Sequence, residues 1–450
     1  MPSLPQVASA LQHVLTEVPE QHAHATEFCR RRSKLSASAF VQAVVLGWLA
    51  TPASSLHQLS QRAAGAGVAI SPQGLDQRFT PAAVDLLRRV AEAALGQALA
   101  AEPVATGLLA RFPAVVVLDA TTIRLPDALA GEWPGCGGGA ADGSPTVGMQ
   151  AALKLHVRLD LTTGALAVGI GPGKEQDKAS ALQHAAVPAG GLRIADLGYW
   201  SLDVFAEIAA QDAYFLSRLS LTTNVYAATG DATGEPIDVV AWLGQQRRRK
   251  LAVAAQLGAE AKLPARLIAV RVPARVAAAR RDAIRAEARQ EGRHPPSADK
   301  LALADWTLLV TNAPPDVLGI ADALVLARAR WQIELLFKLW KTGGQLDAWR
   351  TTNPHRIRGE VHAKLTALVI QHWALLAGCW DRPDRSLTKA AQTVRDHAVT
   401  LLLALRVRTR LVAVLKTICD CLAAGCRIAS RRAKPSLFQL LADPSCGGLA

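Results

Sequence analysis

Much of what this sequence lacks is diagnostic. Its seven cysteines, at 29, 136, 379, 419, 421, 426 and 446, follow no ligand or disulfide spacing. Cys419, Cys421 and Cys426 fall in an apolar helical stretch with no histidine nearby, which argues against a zinc site or a disulfide framework and for buried free thiols. The opening MPSLPQVASALQHVLTEVPEQ has no basic segment followed by an apolar run, so no secretory leader is expected. No uncharged apolar run reaches membrane-spanning length, and Thr400–Leu415 is broken by Arg406, Arg408 and Arg410. These absences point to a cytoplasmic protein. Two common catalytic signatures are missing too. Gly171-Pro172-Gly173-Lys174 is followed by Glu175 where a phosphate loop needs Ser or Thr, and there is no G-x-S-x-G nucleophile elbow. The glycine run at 135–139, in a loop with Glu132 and Asp142, has no lysine after it.

Positive charge is what the chain has in excess. Lys and Arg number 50 against 37 Asp and Glu, a net charge of +13 with a pI near 9.8. Such an excess suits a partner made of phosphates, because counterion release drives nucleic-acid binding. The plainer alternative is a generally basic protein from an Arg- and Ala-rich coding sequence. With 450 residues, half of them hydrophobic, there is material for about two to four domains and a large core.

Residues 1–105 read as helical, with helices over Ser36–Ala50, Leu56–Ala64 and Pro81–Ala100, the last capped by Thr80 with Pro81 in its first turn. The cluster Arg30, Arg31, Arg32 and Lys34 either meets phosphate or is simply solvated. From Phe112 the texture turns to strands: Ala114–Leu118, Ala151–Leu159, Ala165–Ile170, Leu192–Ala195 and Tyr214–Ser217. Thr162-Thr163-Gly164 reads as a hairpin turn, and Lys178–Ala186 and Leu202–Ala210 as helices. Together these make a mixed α/β sheet. Arg218–Ala304 is looser and reads as an insertion. Its candidate strands Val239–Leu243, Leu251–Ala255 and Arg266–Val272 alternate with basic runs, and a charged helix follows at Ala274–Glu291. Trp306–Thr311 restores a core strand. Residues 354–380 and 386–450 are helical again.

One stretch organises the rest: Ala327–Lys341, ARARWQIELLFKLWK. At about 100° per residue, Arg330, Glu334 and Lys341 fall within about 40° of one another, with Lys338 beside them. Apolar side chains take most of the remaining circumference, so the helix is expected to be buried. An Arg330–Glu334 ion pair on an ordinary core helix would account for part of this, but such pairs are worth only about 0.2–0.5 kcal/mol and this orientation is the weaker one. A carboxylate among three cations also suits a site for metal and phosphate. Two further acids stand where apolar strands end: Asp119 after VVVL and Asp196 after LRIA. Neighbouring strands lie about 4.8 Å apart, so two such carboxylates can converge on a hard cation such as Mg²⁺. Glu334, from a helix packed across the sheet, would complete a two-metal site. Each Asp taken singly reads more readily as a turn-former, and it is the combination with the basic stripe that favours a metal site.

LDATTIRLP around Asp119, ADLGYW around Asp196 and RARWQIELLFKLWKTGG around Glu334 resemble the motifs of the DDE transposases of bacterial insertion sequences, specifically the insertion-sequence-four family. The resemblance covers roughly 112–375. It implies a ribonuclease-H-like catalytic core interrupted by a β-rich insertion between the second Asp and the Glu, matching 218–304. It also implies Asp119, Asp196 and Glu334 as catalytic ligands of two Mg²⁺ ions, with Mn²⁺ as substitute. Arg330 and Lys341 would hold phosphates beside the scissile bond, Lys338 a backbone phosphate, and Trp306 a base flipped out near the cut. Where the family carries a Tyr three residues before the Arg, this chain has Ala327.

The activity implied is cleavage of transposon inverted-repeat ends and their joining to target DNA, by a homodimer assembled on DNA. The expected layout is a helical N-terminal DNA-binding domain at 1–105, the first part of the core at 106–217, the insertion at 218–304, the second part of the core with the Glu helix at 305–375, and a helical C-terminal region at 376–450 as the candidate for dimerisation. Two rivals remain open: a related metal-dependent nuclease that cuts without joining, and a degenerate relative that only binds DNA as a repressor.

Overall fold

Four apolar side chains in a row, Val115 to Leu118, are all buried, the pattern of a strand covered on both faces. They open β1 (Val115–Arg124). This strand does not stop before Asp119 as expected, because Thr121, Thr122 and Ile123 keep the backbone extended. Asp119 therefore lies mid-strand. The computed structural model describes residues 2–31, 34–104, 107–136, 151–228, 234–290, 294–382, 384–428 and 436–443. Among them are nine strands: β1, β2 (Ala152–Asp160), β3 (Leu166–Pro172), β4 (Leu192–Ala195), β5 (Tyr214–Arg218), β6 (Val225–Ala227), β7 (Lys250–Leu257), β8 (Leu263–Arg271) and β9 (Trp306–Thr311). They form one mixed sheet in the order β3-β2-β1-β4-β5-β9-β8-β7-β6. β1, β4 and β5 run parallel, while β2–β3 and every pairing from β5 outward to β6 are antiparallel. No described helix is long and apolar enough to cross a membrane.

The chain divides into two compact units, and β1 passes from one to the other at Asp119. One unit holds residues 105–119, 176–331 and 430–450. Within it Phe205, on the helix Leu202–Ala210, stacks on Phe215 of β5 with centroids 4.3 Å apart. The strands of segment 218–304 continue the sheet beyond β9, so β8 pairs with β9 from Arg266↔Thr311 to Arg271↔Trp306. Val239–Leu243, expected as a strand, is instead the helix Val239–Gly244. Asp238 caps it, accepting from the Val240 and Ala241 amides at 3.0 Å each. A short apolar run has no periodicity to separate the two forms, and the cap decides. Lys178–Ala186 is likewise not one helix but two 3₁₀ turns, Asp177–Ala179 and Ala181–His184.

The other unit holds residues 1–104, 120–175 and 332–429. Its centre is the helix Pro354–Gly378, buried around almost its whole circumference. Asn353 caps it and Pro354 takes its first turn. Helices from both ends of the chain, Ala37–Ala50 and Pro81–Leu95 among the first, Leu387–Asp396 and Arg408–Ala424 among the last, share one apolar core with it. Ser36 and Thr80 cap two of these helices as their sequences predict.

Inside that core lies an ion pair, Lys364 Nζ to Glu360 at 2.8 Å. Burial pushes the Glu360 carboxyl up and the Lys364 amine down, and their mutual attraction opposes both shifts. Lys364 also donates to Gln345 O at 2.7 Å and Ala348 O at 3.0 Å. The hairpin between β2 and β3 docks on the same helix: His372 Nε2 donates to Gly164 O at 2.7 Å. Asp160 fastens the turn, accepting from the Thr162 amide and from both threonine hydroxyls.

Candidate active site

Parallel pairing brings two acids together. The register of β1 with β4 ends at Leu118↔Ala195, so Asp119 and Asp196 occupy the next positions on neighbouring strands, whose axes lie about 4.8 Å apart. Asp196 leaves β4 and caps the 3₁₀ turn Leu197–Tyr199, accepting from the Leu197 amide. Two carboxylates so placed repel unless a cation joins them. Here that cation is Arg330. Its Nη1 donates to Asp119 Oδ2 at 2.5 Å, and its Nη2 stands 3.7 Å from Asp196 Oδ2. The first is a charge-assisted hydrogen bond, the second an ion pair without hydrogen-bond length. The Asp119 side chain is 14% exposed, Arg330 20% and Asp196 45%, so the cluster opens to solvent on its Asp196 side.

Arg330 is placed by a break. The helix Ile320–Ala329 ends at it and Trp331–Lys338 begins after it, although its own backbone stays helical. The stretch expected as one helix is thus two short ones followed by a π turn, Leu339–Gly343. Nor is it buried all round, since Trp331 is 57% exposed and Leu335 45%.

Tyr199 and Asp177 belong to the same neighbourhood, and neither was expected there. Tyr199 is fully buried three residues after Asp196. Burial first, and then the Asp177 and Asp119 carboxylates, hold its phenol well above the usual range. Asp177 packs against Gly198 so closely that a Cβ there would stand 2.5 Å from Asp177 Oδ2. A Gly-Tyr pair one residue beyond a strand-end Asp was the available signal for Tyr199; Asp177, on an isolated turn, offered none.

Glu334, Lys338 and Lys341 lie in the other unit. Glu334 is half-buried and Lys338 exposed. Lys341 Nζ donates to Thr122 O at 2.8 Å, and Trp349 Nε1 to Arg124 O at 3.0 Å. The segment after the Glu helix is therefore tied to the far half of β1. Trp306, expected to stack on a flipped base, opens β9. It is only 7% exposed, packed with Leu243, Leu251 and Ala269, and its ring faces Arg271 at 5.6 Å. Hydrophobic burial at the start of β9 leaves little of the ring open in the DNA-free chain.

Of the histidines, His156 is buried on β2 with Nε2 3.3 Å from Glu175 Oε2, and His362 and His372 are buried in the core helix. Positions 137–150, with most of the glycine run and Asp142, lie outside the described residues, as do Arg32 and Cys446. Among the described residues no group of three His, Cys, Asp or Glu side chains is gathered to hold a metal ion. Asp119 and Asp196 nonetheless present adjacent hard oxygen donors around a positive charge, the donor set that Mg²⁺ prefers.

Comparison with known proteins adds sequence-wide likeness. The family described as "Transposase DDE domain" matches residues 110–370. The transposase of insertion element IS231F from Bacillus thuringiensis subsp. israelensis is 27% identical over 462 aligned positions, covering 97% of this chain and 94% of that protein. The IS231B transposase from B. thuringiensis subsp. berliner is 26% identical over 459, covering 96% and 93%. Among solved structures, the piggyBac transposase synaptic complex with hairpin DNA aligns with 96% of this chain and 88% of that one, at 9% identity and a TM-score of 0.42.

Proposed function

The chain belongs to the DDE transposases, enzymes of DNA cleavage and strand transfer, and we propose that Asp119, Asp196 and Glu334 are the acids through which it works. The observation that carries this reading is the pairing of two motif acids by strand register around one guanidinium. Glu334 enters on motif spacing, four positions after Arg330 on the chain. The strand order β3-β2-β1-β4-β5, an antiparallel hairpin beside parallel strands, supports a ribonuclease-H-like core with the strands of 218–304 added at one side.

The family uses divalent metal, and two Mg²⁺ ions, or Mn²⁺, would be held by these three carboxylates. When bound they would supply activation of the attacking oxygen and stabilisation of the leaving one. The remaining work falls to the chain's own cations. Arg330 and Lys341 hold phosphates beside the scissile bond and Lys338 a backbone phosphate, since positioning and charge stabilisation carry most of a phosphoryl transfer. Trp306 can stack on an extruded base only if its cluster opens. The substrates are the inverted-repeat ends of the element and then target DNA. A homodimer assembled on DNA would supply one centre per end, with 1–105 binding the ends and 376–450 as the interface.

The test is Mg²⁺-dependent cleavage of DNA carrying the element's own ends. Asp119→Asn, Asp196→Asn and Glu334→Gln should each abolish cleavage while end binding is retained. Normal cleavage by any one variant removes that residue from the assignment, and cleavage by wild type without joined product would favour a nuclease.

A further inference from the structure

We propose that Arg330 is the resident cation of the metal-free site, holding Asp119 and Asp196 together until a divalent ion replaces it and the freed guanidinium takes a DNA phosphate. This rests on the reading of Asp119 and Asp196 as metal ligands. The register sets the two acids side by side, and the Arg330 fork reaches one oxygen of each, at 2.5 Å and 3.7 Å. A divalent ion held by these acids would need lone pairs on the same two carboxylates. Two cations crowded onto those oxygens repel, whereas one divalent ion neutralises the pair fully and one guanidinium only by half. Ion and guanidinium therefore compete for one place. A lysine could not stand in fully, because its single ammonium lacks the planar fork that spans both acids.

Arg330 also has somewhere to go. It sits at the break between two helices and keeps a fifth of its side chain in solvent. Any phosphate that draws the guanidinium away from Asp119 opens the carboxylates to metal, and metal entry releases the guanidinium to phosphate. Linkage makes the two effects equal. DNA-free protein is thereby held in a weakly metal-binding state, and DNA and metal load together.

Mn²⁺ binding measured by titration calorimetry on the full chain tests this without any cleavage. Without DNA, Arg330→Gln should bind Mn²⁺ about tenfold more tightly than wild type, with Arg330→Lys between them. Adding duplex from the element's end should tighten Mn²⁺ binding to wild type by a similar factor and leave Arg330→Gln unchanged. In EDTA the Gln variant should melt below wild type and recover when Mn²⁺ is added. If Arg330→Gln unfolds, the Arg330→Lys affinity still decides. Equal or weaker Mn²⁺ binding by the folded Arg330 variants, with binding still lost in Asp119→Asn and Asp196→Asn, overturns the exchange and leaves the metal site standing. Wild-type binding by the two Asp variants overturns both.

Discussion

His362 is buried in the middle of the core helix Pro354–Gly378, and its Nδ1 meets no hydrogen-bond partner among the described residues. Burial, with Arg88 adding to it, pulls its pKa down to about 4 from an ordinary 6.5. Burial lowers His372 in the same direction. A depressed histidine stays neutral in the folded protein while the unfolded chain takes up protons below pH 6.5. Stability is therefore fully present above that value and is lost as pH falls toward 4. His362 alone accounts for up to about 3 kcal/mol across this window. His362→Leu should flatten most of the difference between urea midpoints at pH 7 and pH 5, leaving a remainder from His372. An undiminished difference would place the acid sensitivity elsewhere. The same scale holds the clearest gap between sequence and site. Asp119 and Asp196 stand out as polar residues after apolar runs, but Arg330's partners depend on a strand register that no local signal encodes.

Among the elements, the hairpin of β2 and β3 has a turn whose chemistry dictates its glycine. Gly164 adopts φ +71°, and a Cβ there would stand 2.3 Å from Leu376 Cδ2 and 2.6 Å from the Trp380 ring. Left-handed backbone costs a non-glycine residue about 1–2 kcal/mol, and overpacking about 1–3 more. Gly164→Ala should lower the melting temperature by several degrees, read by circular dichroism; an unchanged transition would mean the hairpin does not dock on the helix. This turn was legible because Asp160, Thr162, Thr163 and Gly164 act on their own backbone. The helix starts at Ser36, Thr80 and Asn353 follow the same local logic. Val239–Gly244 and the turns at 177–184 were misread because short segments take their form from a cap or from packing. The burial of Trp306 was hidden for a related reason, since its neighbours Leu243, Leu251 and Ala269 lie far off in the chain.

Taken as a whole, the molecule has 50 basic against 37 acidic side chains. The basic runs Arg30–Arg31 and Arg247–Lys250 stay largely exposed. Binding to the element's ends should weaken steeply with salt, by about 10³-fold or more between 50 and 200 mM if roughly six phosphates are neutralised. A flat response in a filter-binding or anisotropy titration would deny the excess charge any part in DNA recognition. The family and the mixed sheet were legible at this scale from three motifs and a strand pattern. The sharing of one apolar core by both ends of the chain was not, because each end reads as an independent set of amphipathic helices.

That shared core has a consequence for synthesis. Residues 1–104 leave the ribosome with their apolar faces made, while 332–429, which cover them, are the last large part of their unit to be translated. The nascent chain must carry sticky helices through most of its own production, so its yield in a cell should depend on chaperones that shelter early segments until the end arrives.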